Sequence, residues 1–586
     1  MGRLMADCGT SEAMLPARID KMRLVSDGLM DGRVGAALRW LVEGARGGDG
    51  RLVARWIFLR ALGLIYFSAF YSLVRQVRGL IGPAGILPAG EYLQAVANSA
   101  GHARFWYAPT VLWFGSGSLA LMVLCWAGLV ASLLVVFNLL PRGALLICFI
   151  FFLSFVTAAG EFSGYQSDGM LLEAGFVSLF FAPPGLRPGL GFRYPPSRAS
   201  VFLLLWEWFR IYFESGVVKL ASGDPQWRHF TAMDEYYQNG PLPTWIGWYV
   251  QHFPHWFHEA TAFGTLALEL VIVWMGFLPR WGRIIVFCIV TPWQVGVILT
   301  ANYTFLNYLV LVLAFLLLDD RLLVRFLPAR MRHAFLEYWA RIEGRTHCDE
   351  PLRKDSTETT RPGEEAKTGD TLTVEDGFRG YIAWARLGLT RIMFAWIFYS
   401  STALLVLMLW SDAPLPRFPI TALEPFRIAD RYGLFAVMTR GRYEIEFQGS
   451  ADGQNWIAYP FRYKPQNPAE APGIYAPYQP RFEWNLWFAS LGGWRANPIV
   501  PRTEERLLAA SPDVLALFAS NPFPNGPPRV VRAILWQYWF TSSSEKQAQG
   551  LWWKRQALGL YAPSLARDAN GKITVAEWPT TMEPRE

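Results

Sequence analysis

The run "VFLLLWEWFRIYFESGVVKLASG", residues 201–223, decides how this chain folds. It is long and apolar enough for a helix to cross the ~30 Å hydrocarbon core of a bilayer, yet it carries Glu207, Arg210, Glu214 and Lys219. Lipid offers such groups no partner, so they must face protein or water inside a larger bundle. At roughly 100° per residue, Glu207, Arg210 and Glu214 share one face, where the arginine can bridge the two carboxylates as a self-neutralised stripe. Lys219 lies off that stripe. It either snorkels to the headgroups or turns inward to a carboxylate from another segment, with Asp168, Glu173 and Asp234 as the expected partners.

The rest of the chain agrees with a membrane setting. Of 586 residues, 52% are hydrophobic, and the mean hydropathy of +0.19 is higher than an ordinary soluble protein reaches. Apolar runs near 53–74, 110–138, 144–160, 170–182, 201–221, 260–278, 284–300, 302–318 and 388–410 predict about nine membrane helices. The first fifty residues are polar and Arg-rich, so the first span is expected to act as its own signal-anchor. With nine alternating spans, Arg18, Lys21, Arg23, Arg33, Arg39, Arg51, Arg142, Arg187, Arg193, Arg198, Arg280 and Arg283 all fall on one side, which the positive-inside rule makes the cytoplasm. Everything after about Trp410 then lies on the exoplasmic side, in a periplasm or the lumen of the endoplasmic reticulum.

The predicted organisation is a cytoplasmic arm over 1–52, with an amphipathic helix around "GRVGAALRWLVEGA", and a membrane core over 53–320. A partly disordered cytoplasmic linker follows over 321–387, then a last span over 388–410 and an exoplasmic, mainly β domain over 411–586. The linker reading rests on its many charges and few apolar residues. The β reading rests on "RYEIEFQGSADGQNWIAYPFRYK", which alternates polar and apolar residues on both sides of a turn-forming Asp452-Gly453.

Several chemistries are excluded. No cysteine follows the last span, which removes thiol exchange on an oxidising side. His252, His255 and His258 are interrupted by Pro254 and flanked by aromatics, and His347 with Cys348 is too small a set, so no metal site is expected. Neither a phosphate loop nor a basic stripe is present, so nucleic acid is not a partner. No cofactor is implied.

Polar residues at membrane depth (Glu173, Glu269, Gln294, Asn302 and Asn307) all fall at or outside the middle of their spans. Together with Lys219 and Asp234 they predict a polar pocket opening outward. In that pocket Lys219 would be a strut or a reagent, with Glu173, Asp168 or Glu214 as partners. In the β domain, Trp484, Trp487, Trp536, Trp539, Trp552 and Trp553 are candidates for a client-binding surface, rimmed by Arg481 and Glu483.

"SGVVKLASGDPQWRHFTAMDEYYQNGPLPTWIGWYVQHFPHWFH", "GYQSDGMLLEAGF", "ANYTFLNYLVLVLAFLLLDD", "YEIEFQGSADGQNW", "PYQPRFEWNLWFA" and "LWWKR" together resemble the lipase maturation factor family, over most of residues 53–563. The resemblance implies a non-enzymatic, polytopic membrane protein whose outward domain helps secreted lipases reach an active fold. The membrane core is also distantly similar to the horizontally transferred transmembrane (HTTM) domain of vitamin K-dependent γ-glutamyl carboxylase, whose catalytic lysine would fall on Lys219. That likeness implies the alternative, an integral membrane enzyme with Lys219 as base. The sequence departs from the animal maturation factors in the cysteine-free outer domain and in ending "TTMEPRE" rather than in a lumenal retrieval signal.

Overall fold

The computed structural model describes residues 50–348, 374–568 and 570–580. The principal helices before the last span's end are α1 (Leu52–Ile81), α2 (Ser118–Val136), α3 (Pro141–Ala158), α4 (Gln166–Phe181), α5 (Arg198–Ala221), α6 (His255–Leu270), α7 (Arg280–Thr300), α8 (Leu306–Ala314), α9 (Ala329–Cys348), which follows the bundle, and α10 (Val374–Leu409), with shorter helical turns between them. Successive helices from α1 to α6 pack side by side, and α8 closes the bundle by touching α1, α5 and α7. Among the described residues, six helical segments are long and apolar enough to cross a membrane: Leu52–Ile81, Ser118–Val136, Pro141–Ala158, His255–Phe277, Arg280–Thr300 and Gly388–Leu409. The other three expected spans are also helical. Gln166–Phe181 and Leu306–Leu317 are short, and Arg198–Ala221 carries the four ionic residues of the opening stretch.

Close helix packing is made by missing side chains. A Cβ on Gly128 of α2 would lie 2.3 Å from the Phe70 ring of α1, and one on Gly175 of α4 would lie 2.0 Å from the Tyr66 hydroxyl. That hydroxyl donates to the Leu171 carbonyl at 3.0 Å, so it has little room to move.

Helical structure reaches into both ends of the charged segment after the bundle. Helix α9 reaches Cys348, and Phe335 on it is fully buried against Phe192. Helix α10 begins at Val374, well before the expected residue 388. Apolar residues at helical spacing, Phe335, Tyr338 and Trp339, outweigh the charges around them. The arm helix expected within residues 32–45, and the heart of the linker, lie outside the described residues.

The C-terminal region is a strand-rich cap. Its strands are β1 (Arg442–Ser450), β2 (Ile457–Ala458), β3 (Val530–Phe540), β4 (Trp553–Leu560), β5 (Ser564–Arg567) and β6 (Ile573–Glu577). The antiparallel sheet runs β2-β1-β3-β5-β6, with β4 also paired to β3. The hairpin around Asp452 exists, but β2 contributes only two residues to it, and the long partner of β1 is β3, nine residue pairs in register from Arg442↔Tyr538 to Ser450↔Val530. The Asp452 carboxylate accepts from the backbone N–H groups of Gln454 and Asn455, which with Ser450 and the Asn455 amide hold its pKa well below the carboxylate range.

Alternation sets the two faces of the sheet. Tyr443, Ile445 and Phe447 of β1 and Val531, Ala533 and Leu535 of β3 are buried, beneath helices α11 (Arg481–Ser490) and α12 (Ile499–Leu508). Glu444, Glu446, Gln448, Arg532 and Trp536 take the opposite face.

The cap sits on the C-terminal end of α1. Ser72 and Gln76 both donate to the Gln479 carbonyl, Arg78 pairs with Asp513 at 2.7 Å, and Ser511 donates to the Ala84 carbonyl at 2.8 Å. One hydrophobic cluster runs from α1 into the sheet without interruption. Gly128→Ala is expected to force Phe70 aside and destabilise the bundle by about 1–3 kcal/mol, as overpacking does. Thermal unfolding of the purified protein in detergent checks this, and an unchanged midpoint would contradict the packing described.

Candidate functional site

The ionic residues of α5 do not form a stripe among themselves. Arg210 pairs with Glu173 of α4 in a close contact, while its distance to Glu214 is 4.0 Å. Its other amino group donates to the Asp430 carbonyl at 2.7 Å. Glu173 in turn accepts from the Tyr432 hydroxyl at 2.6 Å and from the Asp430 N–H at 3.2 Å. Glu214 accepts the Tyr432 N–H at 2.6 Å. Glu207 is buried beside the Ala174 backbone of α4, and among the described residues no ion pair joins it to Arg210, so the expected Glu207–Arg210 bridge is absent. Arg210 is drawn to the neighbouring helix because there it meets a carboxylate and a backbone carbonyl together.

Lys219 faces inward, but towards none of the three expected carboxylates. Its ammonium donates to both oxygens of Glu269 on α6 at 2.9 Å and to the Leu434 carbonyl at 3.0 Å. The Trp227 ring lies 5.1 Å away. Glu173 is taken by Arg210, Asp168 by Arg481, and Asp234 sits beside His255 at 2.9 Å. Among the described residues, the carboxylate that meets this lysine near the end of α5 is Glu269, the penultimate residue of α6.

Sequence reasoning missed the segment that binds all these groups together. Residues 430–439 run along α5 and the loop after it, and their backbone is held position by position. Gln166 accepts from the Gly433 N–H at 2.9 Å, Ser215 from Leu434 at 3.2 Å and Asp224 from Met438 at 2.7 Å. Trp227 donates to the Phe435 carbonyl at 3.0 Å and Asn239 to that of Thr439 at 2.7 Å. The sequence signal was slight: a charged "RIADRYGLF" with no periodicity, coming soon after a span. Asp430 in this segment is partly buried, its side chain 14% exposed, and desolvation pushes its carboxyl up to about 7.

Two arginines lock the cap to the core. Arg481 grips Asp168 with two parallel bonds of 2.8 Å and the Phe162 carbonyl at 2.9 Å, a fork that matches a carboxylate. Arg442 donates to the carbonyls of Gln238, Gly240 and Pro241 and pairs with Glu444, which Lys464 also meets at 2.8 Å. Asn302 makes a third clamp. It donates to Leu242, Pro243 and Gly473 carbonyls and accepts from the Tyr475 and Ala476 N–H groups.

These positions correct the reading of the cap residues. Arg481 is fully buried, and Glu483, Trp484, Trp487 and Trp553 are buried with it, so they build the seam and the cap interior rather than a client surface. Glu483 accepts backbone N–H groups from Arg462, Tyr463 and Lys464 and has its pKa pushed to about 7 by burial. Trp536, Trp539 and Trp552 remain partly exposed.

The residues expected to share a polar pocket are divided. Lys219, Glu269, Gln294 and Asn307 line one cavity of about 90 Å3 with Tyr212 and Trp227. Gln294 accepts from the Tyr212 hydroxyl at 3.0 Å. Asn302 and Asp234 lie outside it. His252, His255 and His258 are engaged separately, with the Trp248 and Thr541 carbonyls, Asp234 and the Phe253 carbonyl.

Two family models match the chain: the lipase maturation factor transmembrane domain over residues 53–325 and the lipase maturation factor C-terminal domain over residues 428–563. The chain belongs to the lipase maturation factor family. The two matched regions meet at the seam just described, since residues 430–439 open the second. Similar proteins include lipase maturation factor 2 of Gallus gallus, 31% identical over 87% of this chain and 81% of that protein. Lipase maturation factor 1 of Bos taurus is 31% identical over 90% and 91%. Lipase maturation factor 1 of Homo sapiens is 28% identical over 88% of each. No solved structure matches the chain.

Arg481→Met should cost about 3–5 kcal/mol by leaving Asp168 buried and unpaired, and adding Asp168→Leu should recover much of it. A double-mutant cycle on thermal unfolding reads this, and additive losses would contradict the coupling. Glu207→Met is expected to leave the unfolding midpoint unchanged or raise it, because it removes a fully buried carboxylate that has no salt bridge among the described residues.

Proposed function

We propose that this protein is a membrane-anchored maturation factor that holds its cap at the exoplasmic surface and assists secreted, lipase-like clients to fold or assemble. The observation that carries this reading is the seam. A cap fastened to the bundle by buried Arg481–Asp168 and Arg442 contacts presents one fixed face at the membrane, as a folding platform requires. Family membership supplies the class of client, from the names of the relatives.

The proposed topology has nine crossings, with the N-terminus cytoplasmic and the cap in a periplasm or the lumen of the endoplasmic reticulum. Its support is the placing of arginines. Arg51, Arg55 and Arg280 bind groups near residues 190–194 and 316–319, at the start of α1 and away from the cap. Client contact falls to the partly exposed Trp536, Trp539 and Trp552, which would stabilise near-native client conformations by binding them.

The enzyme reading is the weaker one because of Lys219. Its three N–H donors go to two carboxylate oxygens and a carbonyl, and a charged lysine so held has no lone pair with which to take a proton. It is a strut that joins α5, α6 and the 430–439 segment.

The test is secretion of active lipase from host cells that lack their own maturation factor. The full chain is expected to restore it, and so is a variant in which Lys219→Met is paired with Glu269→Leu. Removing residues 411–586 is expected to abolish it. Activity surviving without the cap would overturn the platform reading, and a folded but inactive lysine variant would restore the enzyme one.

A further inference from the structure

The cap carries a second, larger cleft beside the seam, with which it shares Pro243, Lys464 and Tyr475. It has a volume of about 620 Å3, within the ~300–1,000 Å3 range of small-ligand sites. Its floor is the polar face of the sheet, and its wall is the Pro-rich connection after β2. We propose that this cleft binds a neutral glycan.

Two flat aromatic rings, Trp456 and Trp536, line it, each with a guanidinium over one face, and Arg555 lines the cleft as well. Arg532 lies 3.8 Å over the Trp456 ring and Arg555 lies 4.2 Å over the Trp536 ring. Rings braced in this way are rigid platforms, and their electron-rich faces attract the C–H face of a sugar ring. Beside them runs a chain of planar polar groups. Arg532 donates to Gln448 at 2.9 Å, Gln448 to Glu446 at 2.7 Å, and Arg555 and Gln466 reach Glu446 at 3.2 and 3.1 Å. Such a row offers fixed donors and acceptors to hydroxyl groups without having to rearrange.

Charge selects the ligand class. Glu446 pairs with Arg555, Glu444 is shared by Lys464 and the buried Arg442, and Arg532 is taken up by Gln448 and the Trp456 ring, while the rim bears one exposed residue of each sign, Arg462 and Glu470. Because each inner cation already has a carboxylate, carbonyl or amide partner, an ionic ligand would have to displace those contacts to bind. An extended peptide adding to the sheet is disfavoured as well, because the edge of β1 here is already occupied: the Tyr459 N–H meets the Phe447 carbonyl and Lys464 meets the Ile445 carbonyl. The proposal goes beyond the maturation reading and does not depend on it.

The test uses the full chain in nanodiscs, free of sugar-headgroup detergent, with mannose and N-acetylglucosamine oligosaccharides as probes and tryptophan fluorescence with saturation-transfer NMR as readouts. Saturable binding is expected below about 10 mM, with Trp456→Ala and Gln448→Ala each weakening it about tenfold at an unchanged unfolding midpoint. The NMR experiment on the unaltered protein keeps the test decisive if a variant does not fold. Absence of binding, undiminished binding in both variants, or displacement of the sugars by a proline-rich peptide would overturn the proposal. Binding of a secreted glycoprotein that is lost on enzymatic deglycosylation would assign the glycan to a protein, and a response to neutral glycolipid in the nanodisc would assign it to a lipid.

Discussion

Charged side chains inside an apolar bundle must find partners there, and in this protein the partners are supplied by the chain that returns from the last span. Glu173, Arg210, Glu214 and Lys219 are each held to the backbone or side chains of residues 430–434. A polar group buried without such a partner costs several kcal/mol in lipid. The 430–439 segment is therefore part of the membrane core in energetic terms, although it belongs in sequence to the cap.

The arrangement fixes the cap in orientation as well as position. Arg481 and Arg442 reach from the cap to Asp168 and to the loop at 238–241, while Asn302 reaches back from the core to residues 473–476. Buried pairs of this kind add little net stability over well-packed apolar residues, but a misplaced cap would leave every one of them unpaired. Specificity of docking, rather than strength, is what they contribute. The same logic explains why tryptophans that look like an exposed binding surface in sequence are found inside. Trp484 lies against Tyr165 and Tyr303 of the core, and Trp553 against Phe540 and Arg442.

Much of the architecture is legible in sequence because it rests on local patterns. Apolar runs of span length, the alternation in "YEIEF" and the turn at Asp452-Gly453 each report nearby geometry. The site is only half legible. Glu269, Gln294 and Asn307 are found with Lys219 in one cavity, as their depth suggested, yet the pairing of Lys219 with Glu269 depends on how α5 and α6 rotate against each other. Strand β3 was seen only as an aromatic cluster, since its partner β1 lies about eighty residues earlier and leaves no local mark.

The sequence alone determined that charges in residues 201–223 must be buried in protein, that a helical membrane region precedes a strand-rich domain, and that the chain resembles the family to which it belongs. These follow from periodicity, length and the cost of placing ions in lipid, which act residue by residue. Only the tertiary structure decided which charge meets which. That choice is made by contacts between separate segments, 37 residues apart for Arg210–Glu173, 50 for Lys219–Glu269 and more than two hundred where the backbone of residues 430–434 shares each cation with its carboxylate.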